Sequence, residues 1–381
     1  MSVVWLLVAI GVLCLAQAWL FALAGPLKIG YKRTFSTSEA YEGEEIELVE
    51  VISNAKLLPL PWLRVESYIS QNLQFHGQSD LTVSGGRYHR SLFFLPGYRR
   101  ITRRHKVKCL KRGYYKLESV NLSVGDLVGI KHASGSRAVQ AEVTVYPRLF
   151  DIGEMPTESL RWQGDVVVRR YIQSDPYLVN GIRDYAAGDR QKDIHWAATA
   201  RRGHLQVKTH DFTASPRVMM VVNVQRDAGQ WGELGEQEAE VIERGISYAA
   251  SLAAWAVSLG LEAGMTTNGD IDGLQEPLYI EPAGGNDQLR SILGALAHLR
   301  IHRKLTLPTL LEQVEAMLPG GMDFAVISNY WDETLEMHAD RLRALGNTVT
   351  YLPVPQGEKE SAASYGENRG AAWGRKNENR L

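Results

Sequence analysis

At 381 residues the chain is too long for one ordinary domain, so two domains with extra segments are expected. Its 45% hydrophobic and 22% charged residues match ordinary soluble usage, which allows a sizeable core and excludes a largely disordered chain. A net charge of -1 singles out no class of partner, although basic residues are spread unevenly.

Val3 to Leu23 carries no charge and only Gln17 as a strongly polar side chain. At about 1.5 Å per residue the run reaches roughly 30 Å, the thickness of a bilayer core. Residues 1–27 are therefore predicted to form a transmembrane anchor. No Lys or Arg precedes the run, whereas Lys28, Lys32 and Arg33 follow it, and that bias predicts a single pass with the remainder in the cytoplasm. The competing reading is a cleaved signal peptide, since Ala22-Leu23-Ala24 has the small-x-small form of a cleavage site. A missing basic n-region and the length of the apolar run argue against it. Cys14 lies in this run and Cys109 far beyond it, so the two are not expected to pair, which fits a reducing compartment without requiring one.

Residues 28–150 show short β-like runs at 45–53, 62–70, 87–95, 105–113 and 142–149, separated by turn residues. Ile46 and Leu48 alternate with polar residues, continued by Val49 and Val51 around Glu50, and Pro59 with Pro61 breaks the chain between two runs. An antiparallel sandwich of immunoglobulin-like type is expected. Arg99, Arg100, Arg103, Arg104, Lys106, Lys108, Lys111 and Arg112 crowd one short stretch. Such a cluster can meet nucleic acid or anionic membrane lipid through counterion release or surface potential, with lipid ahead because an anchor lies nearby. The plainer expectation is a hairpin whose solvent face is basic.

Residues 151–215 are expected to link two domains, and within them Asn180 to Asp211 packs charge, aromatics and glycine into a run that no simple periodicity explains. Gly188-Asp189 is a turn signal. Asp189 with His195 has the composition of an orienting acid and a general base, the basis of a hydrolase reading. Against it, Thr199 and Ser215 stand nearby in no nucleophile elbow, and Cys109 is remote in sequence.

From residue 216 to 355 strands and helices alternate. Val218 to Val224 is a continuous apolar run suited to a strand buried on both faces. A helix is predicted over 236–259 with Ile242, Ile246, Ala249, Ala253 and Val257 on one stripe and Gly260 to stop it. A strand at LEAGMTT follows, then helices carrying Leu289, Ile292, Leu293 and Leu296, and Leu310, Leu311, Val314 and Met317. The strand DFAVIS, a helix ending near Gly346 and the strand TVTYLPV complete a parallel, doubly wound α/β pattern. Ligands bind such sheets at the carboxyl ends of strands, here Asn223, Gln225 and Asp227, and Ser328, Asn329 and Asp332. No Gly-x-Gly-x-x-Gly fingerprint or phosphate loop follows them, so no nucleotide cofactor is expected. Residues 356–381 lack an apolar repeat and are predicted to be a disordered tail.

The run Arg183-Asp184-Tyr185, then Gly188-Asp189, Ile194-His195-Trp196 and Ala200-Arg201, resembles the signature of the bacterial domain-of-unknown-function family 58. The order of anchor, β-rich domain, signature and α/β domain is similar too. Three departures stand out: Lys192 where the family usually has Arg, Asp184 in place of Glu, and one span where two are common. The resemblance implies an α/β part similar to a von Willebrand factor type A domain and a gene neighbourhood shared with MoxR-type AAA+ ATPases and transglutaminase-like membrane proteins. It further implies a non-enzymatic adaptor or assembly factor. Type A domains often hold a divalent cation with hard oxygen ligands. Asn223, Gln225 and Asp227 stand at those places, with Asn329 where a later Asp would sit, so a degenerate site without tight metal is expected. For the signature the expected role is structural, with Arg183, Asp189 and Arg201 as buried paired charges, Tyr185 and Trp196 packed over their stems, and the same corner offered to a partner.

Overall fold

The structure is a computed structural model that describes residues 2–75, 87–151, 154–172, 179–186, 189, 191–210, 217–230, 232–271, 274, 276–317 and 320–355. It divides into two compact units, residues 1–148 and 149–381. The tail expected at 356–381 lies outside the described residues.

The first unit begins with α1 (Ser2–Ala24), a helix without charge whose span from Val3 to Ala24 has a mean hydropathy of 2.4 and suffices in length and composition to cross a membrane. Most of its surface is open, but Ala18 and Phe21 are buried and Cys14 and Gln17 half-buried. Spacings of three and four put those residues on one face of the helix, the face that meets the β-rich part.

Strands β1 (Ile29–Phe35), β2 (Glu39–Tyr41), β3 (Glu45–Asn54), β4 (Leu60–Ile69) and β5 (Leu73–Phe75) follow. Then come β6 (Arg87–Leu95), β7 (Arg100–Cys109), β8 (Gly113–Gly125) and β9 (His132–Tyr146). They form one sheet in the order β1-β3-β7-β5 and another in the order β2-β9-β8-β4-β6. All pairings are antiparallel except β2 with β9. The two sheets share their apolar interior: Leu48 and Val107 of the first pack with Leu117 and Val143 of the second, and Ile52 packs with Leu63, Phe93 and Val120.

In β3 the inward face runs through Ile46, Leu48, Glu50 and Ile52, while Val49 and Val51 are only half-buried on the other side. The expected continuation through Val49 and Val51 is thus corrected, because period two carries Glu50 inward and Arg33 of β1 is there to meet it. Glu50 Oε1 accepts from Tyr31 Oη at 2.8 Å, from Arg33 Nε at 3.1 Å and from Arg33 Nη2. The other carboxylate oxygen meets His105 Nε2 at 2.9 Å, and Arg33 Nη1 donates to Ser67 Oγ at 2.6 Å. A buried charge persists only when paired and hydrogen-bonded, and this pair meets both conditions. Much of the basic stretch is β7, laid against β3 so that Lys108 faces Glu45, Lys106 faces Glu47 and Arg103 faces Glu50.

In the second unit, α2 (Thr157–Ile172) buries Trp162 and Val166 and lies near the last strand of the α/β sheet. A two-stranded antiparallel sheet of β10 (Val179–Asp184) and β11 (Gln206–His210) flanks α3 (Trp196–Arg202). There follow β12 (Arg217–Val222), α4 (Glu236–Ser258), β13 (Glu262–Thr267), β14 (Gly269–Ile271) and β15 (Tyr279–Ala283). Next are α5 (Asn286–His298), β16 (Leu299–Arg303), α6 (Leu307–Met317), β17 (Met322–Ser328), α7 (Glu333–Ala344) and β18 (Thr348–Pro353). The main sheet has the order β15-β13-β12-β17-β18, with β14 and β16 paired apart from it. Its four strands β13, β12, β17 and β18 are parallel, and β15 joins antiparallel. Too few residues separate β13 from β15 for a helical crossover, and a short connection forces the antiparallel sense.

Met219, Val221, Phe324 and Val326 on one face of the sheet pack against α6 and α7. On the other face α4 comes close at Gly245, where a Cβ would lie 3.0 Å from Val354 and 3.5 Å from Ile327. The predicted helix 236–259 is α4, and Gly260 stops it with φ 71°, a left-handed conformation that glycine adopts without a Cβ clash.

Candidate functional site

Two places gather the residues that the sequence singled out. The first is the carboxyl end of the main sheet where β12 has β13 on one side and β17 on the other, the point at which strand order reverses and such sheets open a crevice. Here the crevice is filled by side-chain amides. Asn223 Nδ2 donates to Ser328 Oγ at 2.8 Å, and Asn223 Oδ1 accepts from the Gln225 backbone nitrogen at 3.0 Å and from Asn268 Nδ2 at 2.8 Å. Asn268 Nδ2 also donates to Gln225 Oε1 at 3.1 Å, and Asn268 Oδ1 accepts from the Val224 nitrogen at 2.9 Å. Gln225 Oε1 takes the Leu307 nitrogen at 2.8 Å and so caps the first turn of α6. Asn223, Gln225, Asn268 and Ser328 are all buried.

Asn329 reaches this cluster by donating Nδ2 to the Gln225 carbonyl at 3.3 Å. Asp227 does not join through its carboxylate, which accepts from Arg226 Nε at 2.6 Å and from the Gly229 nitrogen at 2.9 Å. Asp332 is the cap of α7, its Oδ1 taking the Leu335 nitrogen at 2.9 Å. Among the described residues, Asn329 Oδ1 and the Tyr330 hydroxyl are buried without a hydrogen-bond partner. Burial, followed by the nearby charges of Asp332 and Asp227, pushes the Tyr330 phenol up to about 12, so it stays protonated. Asn268 escaped the sequence reading; its Asn-Gly turn at the end of β13 was the available signal.

The second place is the module of β10, α3 and β11. Arg183 grips Asp189 with both ends of its guanidinium, Nη1 to Oδ2 at 2.7 Å and Nη2 to Oδ1 at 2.6 Å. The Ala186 nitrogen donates to Asp189 Oδ2 at 2.8 Å. These contacts, the Arg183 guanidinium first and the Ala186 amide second, hold the Asp189 carboxyl at about 2. Asp184 accepts from Gln206 Nε2 and meets His204 Nε2 at 3.0 Å, and both contacts, Gln206 first, lower its pKa.

His195 is the residue that starts α3: its Nδ1 accepts from the Ala198 nitrogen at 3.1 Å. A ring nitrogen that accepts there leaves the proton on Nε2 in the neutral ring. The Thr199 hydroxyl accepts the Gln206 nitrogen at 3.0 Å, tying α3 to β11. Ile194 is buried and bridges to Val207. Asp189 and His195 are therefore each engaged, and with different neighbours. Gly188 and Ser215 lie outside the described residues.

The expectation of a buried charge cluster is corrected in two respects. The Arg183 side chain is 48% exposed and its pair with Asp189 lies at the surface. Arg201 is exposed and, among the described residues, makes no ion pair. Trp196 is 68% exposed and Tyr185 and Ala200 are also on the outside, so no aromatic roof covers the pair. The physical reason is scale: two short strands and a seven-residue helix enclose little more than Ile194, Gln206 and Val207.

Residues 181–360 match the model of a family described as "Protein of unknown function DUF58". The chain is 19% identical over 192 residues to the uncharacterized protein YeaD of Bacillus subtilis (strain 168), a match covering 50% of this chain and 46% of that protein. The chain thus spans about half the length of that relative. Among solved structures it is similar to a non-cellulosomal cohesin from the archaeon Archaeoglobus fulgidus, at 15% identity over 30% of this chain and 90% of that one with a TM-score of 0.22. It is similar also to CaCohA2 from Clostridium acetobutylicum, at 15% identity, 31% and 90% coverage and a TM-score of 0.22. The PapD-like domain of human CEP192 matches at 13% identity, 31% and 86% coverage and a TM-score of 0.20.

Proposed function

We propose that this chain, whose residues 181–360 match the model of the family of unknown function DUF58, is a membrane-anchored, non-enzymatic adaptor or assembly factor that works with a MoxR-type AAA+ ATPase. In this reading α1 is a single-pass anchor, β1 to β9 form an immunoglobulin-like sandwich, and the α/β unit is type A-like and is the part offered to the ATPase. Lys28 and Lys32 after the apolar helix favour a cytoplasmic location for both units. A transglutaminase-like membrane protein is a second partner.

One observation carries the reading: the signature leaves Trp196, Tyr185 and Arg201 exposed, whereas its acid and its histidine are engaged in local structure. Exposed aromatics and arginine are what partner surfaces use. The hydrolase alternative draws no support from this arrangement, because a general base has to be free to take a proton and His195 Nδ1 already holds the Ala198 amide. Asn223, Gln225 and Asn268 do not suit a divalent cation, since their amide oxygens are satisfied by N–H donors and the Asp227 carboxylate is held by Arg226. Isothermal calorimetry with magnesium and calcium should accordingly give no micromolar binding.

Crosslinking from native membranes, followed by purification of the full chain, tests the adaptor. An AAA+ ATPase recovered with the wild type and lost with Trp196→Ala, together with a change in its turnover when the pure chain is added, is the expected result. Equal recovery with both chains, or metal-free hydrolytic turnover abolished by His195→Ala, would overturn it.

A further inference from the structure

We propose that the end of the first unit beside α1 is a lipid-contacting surface, and that the loop between β8 and β9 inserts its apolar side chains into the membrane interface. The proposal rests on the anchor reading of α1.

The loop is fastened to the helix well above the helix end. Gln17 Nε2 donates to Asp126 Oδ2 at 2.7 Å, and Lys131 Nζ stands 4.0 Å from the centre of the Trp19 ring. Gln17 precedes the last residue of α1, Ala24, by about two helical turns, which sets the loop roughly 10 Å up the helix. An apolar span that fills a bilayer core of about 30 Å therefore carries this loop below the headgroups, into the outer third of the hydrocarbon.

What the loop shows at that depth is apolar. Leu127 is 70% exposed, Val128 59% and Ile130 47%, in a run that has no sheet of its own. The polar parts are turned inward: Lys131 nitrogen donates to Asp126 Oδ1 at 3.0 Å and Asp126 nitrogen to the Lys131 carbonyl at 3.2 Å. An exposed apolar cluster marks an interaction surface, and one clipped to a transmembrane span has lipid as its neighbour.

The adjoining loops lie closer to the helix end. Lys56 Nζ donates to the carbonyls of Gly25 and Leu27 at 2.7 and 2.6 Å, a cation placed on the turn just beyond the helix end. Beside it Leu57 and Tyr98 are exposed, joined by the Tyr98 nitrogen donating to the Lys56 carbonyl at 3.1 Å. Arg99 and Arg100 follow Tyr98 and are also exposed. Leucine, tyrosine and arginine in that order from the core outward are the residues that settle at a membrane surface.

The test uses the full chain in vesicles of phosphatidylcholine and phosphatidylglycerol, with a nitroxide attached to one introduced cysteine at a time. Cys14→Ala removes one native thiol; Cys109 stays, because it is fully buried and burial pushes its thiol up to about 11, leaving it inert. Ile10→Cys reports α1 itself, Val128→Cys the loop, and Lys111→Cys the far end of the unit, roughly 40 Å away along β8 by strand rise. Collision with oxygen is expected to exceed collision with a water-soluble nickel chelate at 10 and 128 and to fall below it at 111. If 10 reads as lipid and 128 reads as water, the loop proposal is overturned while the anchor survives. If 10 itself reads as water, the anchor reading falls and takes the proposal with it. Shielding of 128 from both reagents would mean a protein neighbour in place of lipid, and would overturn the proposal as well.

Discussion

Replacing Glu50 by glutamine takes one charge from a site where its partner, Arg33, has no access to water. Both side chains are fully buried, and stranding one member of such a pair costs about 3 to 5 kcal/mol. Glutamine keeps the shape. Its carbonyl oxygen can face Tyr31 and Arg33, and its amide nitrogen then meets His105 and Ser91, both of which can turn to accept. The loss is therefore one of charge more than of hydrogen bonds, and the lower end, about 3 kcal/mol, is expected. For a unit of this size each kcal/mol shifts the melting temperature by about 3 °C, so the unit should melt about 10 °C lower. Labelling of Cys109 by a maleimide against temperature, in a Cys14→Ala chain, reads this unit alone, because Cys109 is in its core. The pair Arg33→Met with Glu50→Leu should recover much of the loss, giving a coupling above about 2 kcal/mol. A shift under about 3 °C for Glu50→Gln, or a double variant that melts at the sum of the single losses, refutes the reasoning.

The Asp189 carboxyl is depressed from an ordinary 3.8 to about 2, so its contribution to the module is full above about 4 and is lost as pH falls through about 2. Carbon-detected titration of Asp189 should give that low value, and Arg183→Ala should return it towards the ordinary range. His195→Ala removes the acceptor that starts α3 and should cost about 1 kcal/mol locally, read as faster hydrogen exchange at Ala198, with His195→Asn restoring protection; unchanged exchange in the alanine variant would contradict the capping role. Asn268→Ala leaves the Val224 nitrogen, Asn223 Oδ1 and Gln225 Oε1 each short of a partner. Calorimetric melting should show the α/β unit about 3 kcal/mol weaker, and a change under 1 kcal/mol would mean the amides repair themselves.

Where periodicity was strong the sequence was legible. The charge-free run became α1, the apolar run after residue 216 became β12, and the 3.6-residue stripe from Ile242 to Ala253 became the buried face of α4. What stayed hidden depended on partners remote in the chain. The long strand β8 reads GYYKLESVNLSVG, polar enough on its outer face to pass for a loop, and it is a strand because β4 and β9 flank it. Glu50 looks like an outward residue until Arg33 is placed opposite it. The amide cluster needed three strand ends to be brought together, and only two of them drew attention in one dimension.

Within the signature, two kinds of residue separate. Arg183, Asp189, Ile194 and His195 have local structural work: an ion pair, a bridge and a helix start. Trp196 does none among the described residues and neither does Arg201, though both are part of the same run, and an exposed tryptophan held by seven helical residues is poorly used by stability alone. If the adaptor reading holds, substitutions should divide along that line. Trp196→Ala and Arg201→Ala should leave melting and the Asp189 titration unchanged while abolishing ATPase recovery; Arg183→Ala should alter both, because it releases the turn that carries Asp189. Recovery that survives Trp196→Ala and Arg201→Ala together would make the whole run structural and overturn the adaptor reading that rests on it.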